Sequence, residues 1–324
     1  MAEFKFGIDG AYVDGVPLRG YGIPVTPGKT MFVDYGNGSD NVNLKSNGMR
    51  RPFKTISKAL DLATTDKDDV VCLIGNSTHT LTEMLNVSKN RVHFVGIDGS
   101  GRLYGQNAKV SLGVTTSASD IGSIKNTGVR NSFHNIKFMN SNTVAEGIYC
   151  FVEAGEYSVM SACEIYKDTD LDQTGAAELV MNGDSALVVG CTIGSNVNAI
   201  SGAIIRPNVL VTREIVTGKV ARDVTFRDCI FWKNAGNVGN RFVYGANATD
   251  AERMFLMDRC LFFSTKLSTA VPAQCVAFAF AQTEGHVLLR NCDSIGNTKL
   301  STTTGVYILG VVPTYATSGI AVAA

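Results

Sequence analysis

Three groups of side chains in this chain of 324 residues could bind a metal ion or catalyse a reaction. The first is an acidic run in which Asp168, Asp170 and Asp172 alternate with other residues. Alternating carboxylates can surround Ca²⁺ with their oxygens. An EF-hand loop is excluded, because Gln173 and Leu179 would occupy the positions of its glycine and its bidentate glutamate. The run is therefore a candidate Ca²⁺ site, with a solvated loop as the alternative, and no other cofactor is expected.

The second group consists of aspartates that could serve in sugar cleavage, which needs two carboxyl groups held several ångströms apart. Each has an arginine or asparagine within two residues, a pattern typical of surface ion pairs. The only tryptophan, Trp232, can be a stacking platform for a sugar or part of a subunit contact. We therefore assign no catalytic residue. The aspartates are Asp223, Asp228, Asp258 and Asp293.

The third group is made up of histidines and cysteines, and it indicates no nucleophile. The histidines at positions 79, 93, 134 and 286 are scattered, and no serine or cysteine partner is evident. No CxxC spacing occurs among the eight cysteines, so a zinc or redox site has no support. We expect these cysteines to be reduced, buried and apolar in behaviour. The glycine-rich stretch 96–101 lacks the lysine of a phosphate loop and is interpreted as a turn.

Five of the cysteines lie at the centre of one repeated segment, and this repeat organises the chain. The cysteines are 28, 38, 31 and 32 residues apart. One short strand that recurs at irregular intervals of this size predicts a solenoid with loops of varying length. The copies are SVMSACEI (158–165), ALVVGCTI (186–193), VTFRDCIF (224–231), FLMDRCLF (255–262) and VLLRNCDS (287–294), with central residues Cys163, Cys191, Cys229, Cys260 and Cys292.

The apolar pattern within each repeat predicts which residues face inward. Positions −5, −3, 0 and +2 relative to the cysteine are mostly apolar, and the alternation slips by one residue between −3 and 0. The two residues at this slip, positions −2 and −1, are mostly polar or small. They predict a corner where one strand bends into the next. A second strand is predicted before each repeat and, finally, at GVYILGVV (305–312).

Several positions that should face outward are also apolar. An apolar stripe along the outside of a rod is an exposed patch that needs a partner. We expect it to form the interface of a homotrimer. The alternatives are that such residues merely suit strands, or that an outer loop covers them. The predicted interface residues are Val159, Leu187, Leu256 and Leu288 at position −4, and Ile230 and Leu261 at position +1.

The most specific signal precedes the repeats. The segment MFVDYGNGSD (31–40) is a short strand that runs into a turn, and RPFKTISKALDLATTDKDD (51–69) follows it. Apolar residues from Ile56 to Ala63 recur at helical spacing, and Thr55 is a suitable N-cap. Three strand candidates come next, DVVCLIG, HTLTEMLNV and RVHFVGID.

This run resembles the N-terminal part of proteins of the pectate-lyase-like superfamily, and most of all phage virion β-helix proteins. The resemblance implies an all-β, right-handed parallel β-helix with an N-terminal capping helix and extended terminal segments. It implies little about function, because the fold hosts lyases, hydrolases, phage spikes and non-enzymatic virion parts. Calcium-dependent pectate lyases of this superfamily bind their ion on the flank of the rod and use an arginine as base. No arginine here aligns with that role.

The chain divides into four predicted parts: an arm (1–30), a first strand with the capping helix (31–69), the β-helix (70–312) and an apolar tail (313–324). The arm is too apolar for a free tail, which favours docking on another protein. A short hairpin that covers the end of the main domain is the alternative. The candidate docking residues of the arm are Phe4, Phe6, Ile8, Tyr12, Leu18 and Tyr21.

Composition restricts the function further. The net charge is zero, so no nucleic-acid partner is expected, and no apolar run suggests a membrane partner. No signal peptide is evident at the start, and a virion protein needs none, because such proteins are assembled in the host cytoplasm. Together with the resemblance to phage virion β-helix proteins, the predicted rod, arm, apolar tail and outer stripe favour a structural protein on a bacteriophage virion surface. We expect a homotrimeric capsid-decorating or cementing protein, docked through its terminal segments on the major capsid protein or another virion protein.

On this basis we expect a non-enzyme more than an enzyme. The alternative is a tailspike-type polysaccharide depolymerase, either a lyase or a glycoside hydrolase. A groove that combines paired carboxylates with aromatic side chains would distinguish the alternative from the structural role.

Overall fold

The computed structural model of the chain consists almost entirely of β-strands. It describes residues 4–7, 10–13, 16–17, 27–97, 108–113, 121–141, 148–167, 175–200, 206–213, 218–235, 238–265, 271–279 and 282–310. Within these ranges one α-helix, α1 (Ile56–Leu62), and one short 3₁₀ helix (Leu44–Ser46) occur. No helix in the described part is long and apolar enough to cross a membrane.

The strands are short, and most have three to seven residues. The first nine are β1 (Phe4–Gly7), β2 (Gly10–Val13), β3 (Val16–Pro17), β4 (Thr30–Val33), β5 (Asp69–Ile74), β6 (Thr78–Leu81), β7 (Leu85–Val87), β8 (Val92–Ile97) and β9 (Lys109–Leu112). The next nine are β10 (Ile124–Asn126), β11 (Ser132–His134), β12 (Lys137–Asn140), β13 (Tyr149–Glu153), β14 (Val159–Ser161), β15 (Glu164–Lys167), β16 (Ala177–Met181), β17 (Leu187–Val189) and β18 (Thr192–Ile200). The last ten are β19 (Val209–Val211), β20 (Ala221–Arg227), β21 (Ile230–Ala235), β22 (Val243–Gly245), β23 (Ala251–Asp258), β24 (Leu261–Ser264), β25 (Val276–Phe278), β26 (Glu284–Arg290), β27 (Asp293–Ile295) and β28 (Val306–Leu309).

Three parallel sheets run along the molecule. Sheet A has ten strands in the order β28-β26-β23-β20-β17-β14-β11-β8-β5-β4. Sheet B has eight, β27-β24-β21-β18-β15-β12-β9-β6, and sheet C has seven, β25-β22-β19-β16-β13-β10-β7. The chain visits C, A and B in turn, as in β13, β14 and β15, and then begins the next coil. This is a parallel β-helix, as predicted, and ten strands at about 4.8 Å spacing span roughly 43 Å.

The corner between sheets A and B lies where the phase slip predicted it. The residue just before each repeat cysteine has a positive φ in the left-handed region. A single left-handed residue turns the backbone sharply, so the side chains on both sides of the corner can point inward. These corner residues are Ala162 (φ 51°), Gly190 (60°), Asp228 (54°), Arg259 (52°) and Asn291 (51°).

The five repeat cysteines form a buried ladder at this corner. All eight cysteines are free and buried, as expected. Neighbours in the ladder touch, since the backbone N–H of Cys163 lies 3.4 Å from Sγ of Cys191. Burial also raises the thiol pKa of Cys72 and Cys275 to about 12. Thiols in such surroundings stay protonated and behave as small apolar core residues.

Helix α1 closes the N-terminal end of the core. Its Ile56, Ala59 and Leu60 are buried, and the side chain of Thr55 accepts from the backbone N–H of Lys58, as the sequence predicted. At the other end of the helix, Nζ of Lys89 donates to the carbonyl oxygens of residues 60, 61 and 63, at 2.7–2.8 Å. These bonds satisfy carbonyls that a helix leaves without intrahelical partners.

Two strand predictions are corrected. The candidate HTLTEMLNV is two strands, β6 and β7, because the chain turns from sheet B to sheet C within it. The last candidate, GVYILGVV, contains β28, which pairs with β26 in sheet A instead of lying in the sheet of the other second strands.

The arm contains a small antiparallel sheet in the order β1-β2-β3. Phe4 pairs with Val13 and Lys5 with Tyr12, so the arm has the hairpin geometry of the alternative prediction. Of the candidate docking residues, Phe4, Phe6 and Tyr12 lie in these strands. Ile8, Leu18 and Tyr21 lie outside the described residues, and so does the tail 313–324.

Candidate functional site

The outer face of sheet A carries the predicted apolar stripe. The parallel register aligns Val159 with Leu187, Thr225 with Leu256, and Leu256 with Leu288 on successive strands. The stripe ends at Tyr307 of β28, which is 49% exposed. Each of the four predicted −4 residues is half-buried in the isolated chain. Stacking in register therefore brings residues that are far apart in sequence into one row, which is apolar except for Thr225 between Leu187 and Leu256.

The N-terminal part of the same outer face is covered by the chain itself. Phe32, Val70 and Val95 form a second apolar cluster outside the sheet, and Met49 packs against it. The segment that contains Met49 covers this cluster, and Asn47 fixes the segment to sheet A. The Asn47 side chain accepts from the backbone N–H of Phe32 and donates to its carbonyl oxygen. The fold thus shows how an apolar outer face of sheet A is shielded where a segment is available for it.

The two remaining interface residues belong to another sheet. Ile230 and Leu261 are register partners in sheet B, across the corner from the stripe. Next to them, Trp232 stacks on Phe263 with ring centroids 5.9 Å apart and an interplanar angle of 27°. These residues form a second apolar patch, distinct from the stripe on sheet A.

Three of the four candidate carboxylates form ion pairs, and the four do not gather around one groove. Asp258 is 1% exposed and lies 2.7 Å from Nη2 of Arg290, whose hydrogen bond holds the carboxyl pKa below its usual range. Asp228 accepts from Arg259 at 2.7 Å, which lowers its pKa as well. Asp223 forms an ion pair with Arg253 on the neighbouring strand of sheet A. Asp293 is exposed in sheet B.

A buried group of charges lies where sheet B leads into sheet C. Arg206 and Glu178 form an ion pair of 3.0 Å, and their side chains are only 4% and 5% exposed. Lys233 donates to the carbonyl oxygens of Arg206 and Arg241. A cavity of about 10 Å³ lies between Lys167, Glu178, Lys233 and Trp232, which is enough space for one water molecule. We call this group the charged pocket.

Burial changes the protonation of the lysines in the charged pocket. Desolvation, together with the nearby charge of Arg206, lowers the pKa of Lys233 to about 7 and that of Lys167 to about 8, although Glu178 acts in the opposite direction. Ionisable groups with shifted pKa values that share a cavity are candidates for acid–base chemistry. Sequence reasoning missed these residues, although a signal was present. Both lysines occupy position +4 of their repeats, where continued alternation points inward.

The histidine prediction was wrong, because the structure places two of the histidines beside serines. His93 and Ser132 are register partners on sheet A, and Nδ1 of His93 lies 2.8 Å from Oγ of Ser132. His134 lies 3.0 Å from Oγ of Ser161 on the next strand. Each pair is formed across one coil, so the sequence alone could reveal it only with the register known.

The predicted Ca²⁺ ligands Asp168, Asp170 and Asp172 lie outside the described residues. Among the residues that are described, no group of three or more histidine, cysteine or carboxylate side chains is arranged to hold a metal ion.

Comparison with known proteins supports the fold. No protein-family model and no characterised protein matches the chain in sequence. Among solved structures, it is similar to a pectin methylesterase from Aspergillus niger, with TM-score 0.53, 13% identity, and coverage of 87% of this chain and 84% of that one. Pectate lyase Pel9A gives TM-score 0.52 at 14% identity over 89% and 78% of the two chains. A rhamnogalacturonan lyase gives 0.53 at 12% identity over 82% and 68%.

These similarities establish a pectate-lyase-like parallel β-helix, and at such low identity they establish the fold alone. They also overturn one prediction. Our preference for a non-enzyme was wrong, since these structural neighbours over most of the chain are enzymes. The absence of a recognisable catalytic motif in the sequence was a poor guide, because the side chains of a β-helix site come from different coils.

Proposed function

We propose that the protein is a homotrimeric β-helix component of a bacteriophage virion surface, assembled in the host cytoplasm. In this role it decorates or cements the capsid, and its terminal segments dock on the major capsid protein or another virion protein. The observation that carries the proposal is the apolar stripe on sheet A, which would lie between three copies of the chain.

The geometry of the stripe supports self-association. Its residues are held in register by the ladder of sheet A, so a second copy would meet Val159 and Leu187, then Thr225, then Leu256 and Leu288, in one row. Three-fold symmetry lets every copy bury the same row around one axis. Burial of half-exposed apolar surface stabilises such an assembly by about 25 cal/mol per Å².

The docking role of the arm has a direct test. We expect deletion of residues 2–26 to leave the β-helix folded, because β1, β2 and β3 form their own sheet and the deletion spares Lys29 and Thr30, which bond to the main domain. The truncated protein should then no longer bind virus particles in a co-sedimentation assay. Matched far-UV circular dichroism of both proteins is the control for folding. Binding equal to that of the full chain would contradict docking through the arm.

A polysaccharide depolymerase is the second candidate, and the charged pocket favours it. A substrate would have to open this pocket, whose cavity has space for one water molecule, and separate Arg206 from Glu178. A neutral lysine amine could then abstract a proton next to a uronate carboxylate, and Arg206 could neutralise that carboxylate. Trp232 lines the same cavity and offers an aromatic face. The solved structures with the same fold carry, by their names, activities on pectin, pectate and rhamnogalacturonan.

The depolymerase candidate predicts cleavage of an acidic polysaccharide that depends on the charged pocket. Lyase activity would appear as unsaturated ends absorbing in the ultraviolet, and hydrolysis as reducing ends without that absorbance. We expect Lys167→Met and Lys233→Met to abolish either signal, and the exposed Lys54→Met to keep it. Loss in the control variant, or retention in both pocket variants, would count against this candidate.

A further inference from the structure

On the outer face of sheet A, His93 contacts both Ser132 and the carboxylate of Asp68. We call these three residues the relay. Nε2 of His93 lies 3.3 Å from Oδ1 of Asp68, and its Nδ1 lies 2.8 Å from Oγ of Ser132. His93 thus bridges a hydroxyl and a carboxylate through its two ring nitrogens. The side chains of His93 and Asp68 are 14% and 18% exposed, so the relay lies in a partly dehydrated but reachable position.

The surroundings of Asp68 fix the protonation of the relay. Arg91 donates to its carboxylate from Nε at 2.8 Å and also from Nη2. These bonds, with that of His93, hold the pKa of Asp68 below its usual range. An ionised Asp68 can only accept, so a neutral His93 carries its proton on Nε2. Its Nδ1 then presents a lone pair to the Ser132 hydroxyl, which is the arrangement a general base requires.

A second imidazole stands beside this relay. His134 follows Ser132 by two residues on β11, so both side chains face outward about 6.6 Å apart along the strand. Burial lowers the pKa of His134 to about 4, and it is therefore neutral near pH 7. When its Nδ1 accepts from Ser161, its Nε2–H is free to donate to another oxygen. A neutral imidazole can act in this way as the electrophile for a developing oxyanion.

We propose that Ser132 is the nucleophile of a hydrolytic site for small carboxylic esters, with His93 as its base. Oγ of Ser132 bonds to the ester carbonyl carbon while its proton passes to Nδ1 of His93. His134 donates to the carbonyl oxygen as charge develops there. The bond to the alcohol then breaks, and the departing oxygen takes the proton from His93. Water repeats the sequence on the acyl group, which leaves a carboxylic acid and free Ser132.

The geometry limits the acyl group to a short one. Ser132 is only 7% exposed, and its register partner on the next strand is Val159. A bulky acyl chain would have to displace this neighbour, whereas an acetyl or similarly small group reaches Oγ without doing so. Asp68 does not touch the ester, so it is a positioning residue that orients His93. This inference does not rest on the proposed virion role or on the charged pocket. Ser132 is the register partner of Val159 in the stripe, so a trimer through the stripe would have to leave Ser132 accessible.

The test uses the full chain, a fluorophosphonate reagent and p-nitrophenyl acetate. We expect the reagent to add to Ser132, as located by peptide mass spectrometry, and Ser132→Ala to lose both labelling and ester turnover. His93→Gln should slow labelling on the order of 100-fold or more. Ser88→Ala is the control, an exposed serine outside the proposed site, and it should be labelled at Ser132 at the wild-type rate. Thermal unfolding of each variant verifies the fold.

Further variants separate the roles of the neighbours. Asp68→Asn should slow labelling, because an amide that presents its NH₂ group to Nε2 of His93 no longer orients the ring, and Asp68→Glu should restore part of the rate. His134→Gln should lower acetate turnover on the order of 100-fold if it stabilises the oxyanion. The proposal is overturned if folded wild-type protein is not labelled at Ser132, if His93→Gln is labelled at the wild-type rate, or if turnover survives in Ser132→Ala.

Discussion

Replacing Cys229 with aspartate should lower the free energy of unfolding by about 3–5 kcal/mol. The side chain of Cys229 is 1% exposed, and its Sγ lies 3.4 Å from the carbonyl oxygen of Val188. A carboxylate at this position would be buried against the carbonyl oxygens of Val188 and Arg227, which repel a negative charge and cannot donate a hydrogen bond. The variant must therefore either bury a charge or take up a proton.

Chemical denaturation by urea measures this effect. Cys229→Ala is the matched control, because it keeps an apolar side chain in the ladder and should cost only about 1–2 kcal/mol. A similar midpoint for the aspartate and alanine variants would mean that position 0 does not face the core. In that case the inward register of all five repeats would be wrong.

The second large effect concerns Glu153, whose replacement by glutamine should remove a strong pH dependence of stability. Glu153 is fully buried at the end of β13. It accepts from Nδ2 of Asn126 at 2.9 Å and from the backbone N–H of Gly155 at 2.8 Å. Desolvation outweighs these bonds and raises the carboxyl pKa from 4.5 to about 7.

A raised carboxyl pKa means that the folded protein binds a proton more tightly than the unfolded chain does. The stability that this proton provides is complete below pH 4.5, is lost as pH rises, and is absent above about pH 7. A shift of this size corresponds to roughly 3 kcal/mol at about 1.4 kcal/mol for each pH unit. Glutamine keeps an acceptor oxygen but does not titrate. The free energy of unfolding of Glu153→Gln should therefore rise relative to that of the wild type as pH increases from 4.5 to about 7.

Urea unfolding at intervals between pH 4 and pH 8 tests this expectation. The exposed Glu83→Gln is the control and should follow the wild-type curve. Parallel curves for Glu153→Gln and the wild type would show that Glu153 gains no extra affinity for a proton on folding.

The sequence allowed much of the coil to be predicted, because inward positions repeat. Stacked coils place equal residues in equal surroundings, so the cysteines and the apolar positions around them identified one corner and its inward faces. The helix could also be predicted, since Thr55 and the spacing from Ile56 to Ala63 are local signals. Strand β19 was not predicted, because its coil adds a longer connection and no cysteine marks the strand.

The candidate sites could not be predicted in the same way. Ser132 and His93 are 39 residues apart, and only the register of β8 and β11 makes them neighbours. Loops of unequal length hide that register, so each residue appeared isolated. The charged pocket could not be predicted for a different reason. Lys167 and Lys233 are polar residues near strand ends, where composition suggests a loop although the alternation continues inward.

The most direct test of the proposed assembly is the mass of the intact chain by light scattering after size exclusion. The stripe on sheet A predicts a particle of three times the chain mass of 34.6 kDa. It also predicts that Leu187→Glu, which places a charge in the middle of the row, shifts the protein to the monomer mass without unfolding it. A wild-type protein that elutes at 34.6 kDa would contradict self-association through the stripe.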